Sequence, residues 1–178
     1  MPLRATAVLA ASLLFLSAAP LPAAPAAPAS AGGIRWTLPG RWTAGTGSSM
    51  RVATYAVPAA KGEATGECAV FFFGPGQGGG IDDNVARWAK QFEGAPQAER
   101  TVANVAGRRV TRVAVAGTYL APGGPMMQST GKKTGYRLLG AIVEAPGGNV
   151  FFKLTGPAAT IAAAQAEFDA LVASIRRE

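Results

Sequence analysis

Histidine is absent from the 178 residues, and cysteine occurs once, at Cys68. Without an imidazole there is no Ser-His-Asp or Cys-His arrangement for nucleophilic catalysis and no histidine-ligated metal. With one thiol no intramolecular disulfide can form, even in an oxidising compartment. Cys68 lies inside the strand-like run ECAVFFF, Glu67 to Phe73, and reads as a buried small hydrophobe. Acidic side chains are also scarce, 10 against 17 basic. Asp82 and Asp83 have no further acidic group near them in the sequence, so they read as helix-capping residues rather than as a site for a hard cation. Glu63, Glu67 and Glu144 could supply a glycosidase-type carboxylate pair if they met in space, and nothing in their pattern points to it. No recognisable nucleic-acid motif is present, and aromatic residues do not interleave with the basic ones. The chain is therefore read as a non-enzymatic binding or accessory module, with no cofactor and no nucleic acid as partner; the alternative is a small-ligand-binding protein or enzyme with a pocket between sheet and helix.

Long apolar runs are missing as well. The N-terminal run from Ala5 to Ala19, preceded by Arg4, falls short of the roughly 20 residues that a spanning helix needs. A small-residue, Pro-rich tract follows it, which is the pattern of a secretory signal. Residues 1–26 are assigned to the signal, with cleavage after Ala26 preferred to Ala31. Residues 27–33 form an Ala/Pro-rich disordered leader, and 34–178 a single domain exported to a periplasm or out of a bacterial cell. Without Arg4, 16 basic side chains face 10 acidic ones, a net charge of +6. Their scatter reads as a solvated surface, with binding to an anionic surface as the lesser alternative.

What is present is a succession of strand-like and helical patterns. Trp36 and Trp42 bracket a turn at Pro39 and Gly40 and are expected at the rim of the core. The runs Met50 to Val57 and Glu67 to Phe73 read as strands from their β-branched and aromatic content. Val85, Trp88, Ala89 and Phe92 recur at helical spacing, with Asp82 or Asp83 as N-cap and Gly94 as stop. Two strands joined near Ala106 and Gly107 follow, then a hairpin around Pro146, Gly147 and Gly148. A last helix begins at Pro157 and carries Ile161, Ala164, Phe168, Leu171, Val172 and Ile175 on one face. In RLLGAIVE and VFFKL both faces are apolar, so the sheet needs cover on both sides. The expected fold is α+β, an α/β/α sandwich with a central, mostly antiparallel sheet of about six or seven strands and a helix on each face.

The letters from Gly74 to Gly79 spell G-x-G-x-x-G between a strand and a helix. A dinucleotide loop also needs free backbone amides and an acid ending the next strand about 20 residues on. Here the acid near that spacing, Glu93, ends the helix itself, and Asp82 and Asp83 place negative charge where a phosphate would sit. Gly74 and Gly76 are therefore read as structural, letting a strand turn sharply into a helix. The strongest candidate for binding is the loop Ala121 to Gly135, which offers Met126 and Met127 for adaptable apolar contact and Lys132 and Lys133 for anions. Two neighbouring methionines without other soft ligands do not make a copper site.

The order WTLPGRW, MRVATYAVP, a strand, a glycine turn, the helix NVARWAKQF, a strand hairpin and FDALVASIR resembles the PsbP-like superfamily, which includes the Ran-binding Mog proteins and exported bacterial domains without assigned role. The resemblance spans Ile34 to Arg177. It implies an α/β/α sandwich with a central antiparallel sheet and a non-catalytic role in binding and stabilising protein assemblies. It brings no catalytic motif to match onto these residues, and export argues against a Ran-type partner. An unidentified protein is the expected partner.

Overall fold

The computed structural model describes residues 29–46, 50–121 and 131–178. In chain order the elements are β1 (Ala29–Ala31), β2 (Ile34–Trp36), β3 (Thr43–Ala44), β4 (Ala53–Val57), β5 (Gly66–Phe72), α1 (Ile81–Ala89), β6 (Glu99–Val105), β7 (Arg108–Ala121), β8 (Gly131–Ala145), β9 (Gly148–Pro157), α2 (Ala158–Ala163), α3 (Gln165–Ala173) and β10 (Arg176–Arg177). Seven strands make one sheet in the order β3-β4-β5-β9-β8-β7-β6, every neighbouring pair antiparallel. The fold is sheet-rich α+β, with this sheet, three helices and a smaller sheet of order β1-β2-β10.

The doubly apolar runs lie where burial on two sides is required. β9 is the central strand, between β5 and β8. Alternate residues of a strand point to opposite faces, and the core divides accordingly. Leu139, Ala141 and Val143 of β8 and Val150, Phe152 and Leu154 of β9 share one buried cluster with Ile161 of α2 and Phe168, Leu171 and Val172 of α3. Leu138 and Ile142 of β8 and Phe151 of β9 share the other with Trp88 of α1 and Phe92 just beyond it. Each fully buried phenylalanine or leucine contributes about 1.5–3 kcal/mol of transfer free energy, which is why register here tolerates no slip. Trp36 and Trp42 belong to the first cluster rather than to a rim, at 1% and 4% exposure. Trp36 packs edge-on against Phe152 with centroids 5.0 Å apart and donates its Nε1 proton to Tyr55 Oη at 2.9 Å.

Several local expectations need correction. Ala29–Ala31, placed in the disordered leader, form β1 and pair with β2 across Gly32 and Gly33. Both glycines have positive φ, 61° and 78°, the geometry of a two-residue hairpin turn. The small sheet then closes with β10 at the end of the chain. Asp82 does not cap α1: Gly80 is the N-cap, in extended conformation and without a side-chain capping bond. Asp82 lies in the first turn and pairs with Arg100 of β6. Asn84, 1% exposed, donates from Nδ2 to the carbonyls of Gly78 and Gly80, and so ties the glycine loop to the helix. The C-terminal helical segment has its expected apolar face, with Ile161, Ala164, Phe168, Leu171, Val172 and Ile175 all buried. It is divided into α2 and α3 at Ala164, and Pro157 is the N-cap rather than the first helical residue.

Candidate groove on the open sheet face

On the sheet face that meets α1, the nine-residue helix covers a limited area. Its Trp88 ring lies on Gly140 of β8 so closely that a Cβ there would stand 2.1 Å from Trp88 Cζ3. The space between α1 and the sheet is thus filled by Trp88 and Phe92, both buried. Beside the helix the face opens into a groove of about 350 Å³. Lys153 of β9 stands in its floor, opposite Ala69 on β5 and Gly140 on β8. Both neighbours are small; the Trp88 ring takes the space above Gly140, and the Ala69 side is left open to the groove. Two residues along, Glu67 lies opposite Thr155 and accepts a hydrogen bond from Arg51 Nη1 at 2.8 Å.

The other wall is aromatic. The rings of Tyr119 (β7) and Tyr136 (β8) stack with centroids 5.9 Å apart and planes 7° from parallel, and Phe92 meets Tyr119 edge-on at 5.3 Å. The segment after α1 holds Tyr119 in place: Glu93 N–H donates to the Thr118 carbonyl and Leu120 N–H to the Gln91 carbonyl. Lys153 Nζ donates to Tyr119 Oη at 3.2 Å, Lys133 Nζ lies 5.5 Å from the Tyr136 centroid, and Arg51 lies 5.7 Å from that of Phe71.

A bulge decides which lysine reaches this wall. Tyr136 is opposite Gly117, yet Lys133 is opposite Tyr119, so β8 spends three residues where β7 spends two. Gly135 within this step has φ of 65°, a conformation glycine accepts without strain. The extra residue turns Lys133 onto the same face as Tyr136, although regular alternation would send it to the opposite one.

Burial, with a further contribution from Arg51 and Arg87 against the opposing effect of Glu67, lowers the Lys153 pKa to about 8. Burial, with Glu67 adding and Arg51 opposing, raises Tyr119 to about 12. At neutral pH the groove therefore holds an ammonium beside a neutral phenol. Arg51, Lys133 and Lys153 bring three positive charges against the one carboxylate of Glu67. Cations over aromatic faces, an apolar wall and a few convergent polar groups suit the binding of an anionic group on a flat body.

The residues singled out from the sequence are dispersed. Met126 and Met127 lie outside the described residues. Lys132 and Lys133 belong to β8 rather than to a loop, because β7 and β8 extend to Ala121 and from Gly131. Lys132 pairs with Glu93, away from the groove, while Lys133 lines it. Gly74 and Gly76 have φ of 98° and 66°, as a sharp strand-to-helix turn requires. Asp82, Trp88, Trp36 and Trp42 have the structural roles given above, Trp42 donating to Glu167 Oε2 at 3.0 Å. Cys68 is fully buried, and that burial pushes its thiol pKa up. Glu67 and Glu144 do not meet: Glu67 is level with Thr155 and Leu138, six residues along β8 from Glu144, about 20 Å of strand. Among the described residues no group of three or more cysteine or acidic side chains could hold a metal ion, and no helix is long and apolar enough to cross a membrane. Lys153, Tyr119 and Arg51 escaped the sequence reading. The one available signal was a lysine interrupting the apolar run VFFKL.

The seven-stranded antiparallel sheet with helices after β5 and β9 is similar in fold to a solved PsbP structure. The solution structure of cyanobacterial PsbP (CyanoP) from Synechocystis sp. PCC 6803 superposes with a TM-score of 0.51, covering 83% of this chain and 88% of that one at 13% sequence identity. At that identity the likeness shows the fold. Scans against protein-family models and curated proteins give no match.

Proposed function

We propose that this is an exported, non-catalytic accessory protein that binds a protein partner through the open part of the α1-side sheet face. The observation that carries the reading is the groove, where Arg51 and Lys133 converge on Lys153 of the central strand beside aromatic side chains. The N-terminal apolar run followed by small residues and prolines supports export. The division of the core into a cluster containing α2 and α3 residues and another containing α1-side residues supports an α/β/α layering with helical cover on each face. Ala121 and Lys133, the described residues of the candidate loop that line the groove, support its share in the binding surface.

A second reading, a small-ligand carrier, is favoured by one measure. The groove volume of about 350 Å³ lies within the range of small-molecule sites, roughly 300–1,000 Å³. In-cell crosslinking and pull-down of the tagged mature chain, compared with Lys133→Glu, separates the two. A recurrent partner that disappears with Lys133→Glu supports the accessory role. Recovery of the chain alone, or a partner indifferent to the substitution, refutes it.

A further inference from the structure

Lys153 is placed in an unusual way for a charged residue. It rises from the middle of the central strand, where its neighbours along the chain, Phe152 and Leu154, are fully buried. Among the described residues its ammonium meets one hydrogen-bond acceptor, Tyr119 Oη at 3.2 Å. An ammonium carries three donors. The nearest carboxylate on the groove wall, Glu67, has Oε1 engaged by Arg51. Lys153 is half-buried in the groove; a charge partly withdrawn from water is ordinarily matched by an opposite one, and here the match is incomplete. On the β5 side the floor is kept clear by Ala69, while on the β8 side the Trp88 ring covers Gly140. The wall beside it is the stacked pair Tyr119 and Tyr136, and the mouth carries Lys133 and Arg51.

The geometry points to Lys153 as the centre of a binding site for an organic carboxylate borne on a flat, apolar body. The carboxylate meets the unused ammonium donors, the neutral Tyr119 hydroxyl lies within the same hydrogen-bonded group, and the body lies along the aromatic wall. Lys133, which is exposed, and Arg51, which is already paired with Glu67, draw the anion in but contribute less to holding it. Such a carboxylate is either a free aromatic acid or an acidic side chain that a bound protein presents beside one of its aromatic rings; in the second case the inference rests on the accessory reading above and supplies its chemistry.

The probe is benzoate, added to the mature, isotope-labelled protein and followed by amide chemical shifts. Acetate tests the need for the flat body, and benzylamine has the same body with the opposite charge. Saturable shifts are expected at Ala69, Tyr119, Tyr136 and Lys153 with benzoate, weaker ones with acetate and none with benzylamine. Lys153→Met lowers benzoate affinity at least tenfold, and Lys133→Gln, a rim change that leaves the core untouched, lowers it a few-fold. Charged and titratable groups surround Lys153 from every side: Arg87 of α1, Arg51 before β4, Glu67 of β5, Tyr119 of β7, and Lys133 and Tyr136 of β8. The ammonium loses its proton above about pH 8, so affinity falls there, approaching tenfold per pH unit. Shifts that never saturate, that persist equally in Lys153→Met, or that benzylamine reproduces would overturn the site. The two sources are separated by adding benzoate to the pull-down. Release of the partner places an acidic side chain of that protein in the groove. Benzoate binding without release keeps the carboxylate site and removes the groove from the accessory reading. A Lys133-dependent partner without any benzoate binding keeps that reading and refutes the site.

Discussion

Replacing Lys153 with methionine should stabilise the protein, against the usual effect of changing a residue on a central strand. Burial lowers the lysine from 10.5 to about 8. At about 1.4 kcal/mol per unit, holding the charged form in the folded state costs about 3 kcal/mol at pH 7. Methionine removes that cost and gives up the hydrogen bond to Tyr119, a loss of about 1 kcal/mol. A net gain of about 2 kcal/mol is expected from urea unfolding at pH 7. The pH profile is the sharper test. Between about 8 and 10.5 the unfolded chain keeps the lysine proton that the folded chain has released, so stability rises with pH, by about 1 kcal/mol from pH 7.5 to 9. Cys68 acts in the opposite sense: burial raises its pKa above 9.0, so beyond pH 9 the unfolded thiol ionises first and stability is lost. Tyr119, raised from 10.0 to about 12, adds a further loss above pH 10. The native protein should therefore gain stability up to about pH 9, level off and then fall, while Lys153→Met should stay level and then fall. A destabilised variant that retains the rise between pH 7.5 and 9 would refute the assignment of that rise to Lys153.

Gly140→Val should be severe, because even a Cβ would stand 2.1 Å from Trp88; a loss of about 2–4 kcal/mol by chemical denaturation, with altered Trp fluorescence, is expected. Gly135→Val forces a β-branched residue into φ of 65° at the bulge; it should displace Lys133 and weaken benzoate binding while leaving thermal stability within about 3 kcal/mol of the native value. Glu167 is held below the usual carboxylate range by the hydrogen bond from Arg41, with Trp42 assisting, so the stability it confers is present above pH 4.5 and lost as pH falls through its folded pKa. Glu167→Gln should flatten that acid-side loss in thermal melts. Cys68 should resist a thiol reagent until the protein unfolds, because it is fully buried and its pKa is raised.

The fold was legible in the sequence where burial imposes a pattern. RLLGAIVE and VFFKL announced a sheet covered on both faces, and β8 and β9 occupy that position. Trp88 and Phe92 announced a helix face that packs, and they fill the second cluster. The small sheet was less visible, since a three-residue strand of Ala-Ser-Ala has no apolar signature and is fixed by pairing with Ile34–Trp36. The cap of α1 was misread because Asp82 and Asp83 carry the right chemistry two and three residues too late, while a glycine takes the capping position. The groove was the least legible part. Its residues come from four strands and the segment before β4, and Lys133 reaches it through a bulge that alternation along β8 does not announce. Of the candidate loop, Ala121 and Lys133 line the groove, as residues of β7 and β8.

The central claim is that the open sheet face, rather than another surface, meets the partner. Photocrosslinking in the exporting host tests it directly, with a benzophenone side chain placed either at Thr65 on the groove or at Ala103 on the distant edge strand β6. The account predicts a discrete adduct from Thr65, diminished by Lys153→Met, and none from Ala103. An adduct from Ala103 with Thr65 silent would contradict it and move the binding surface to the opposite edge of the sheet.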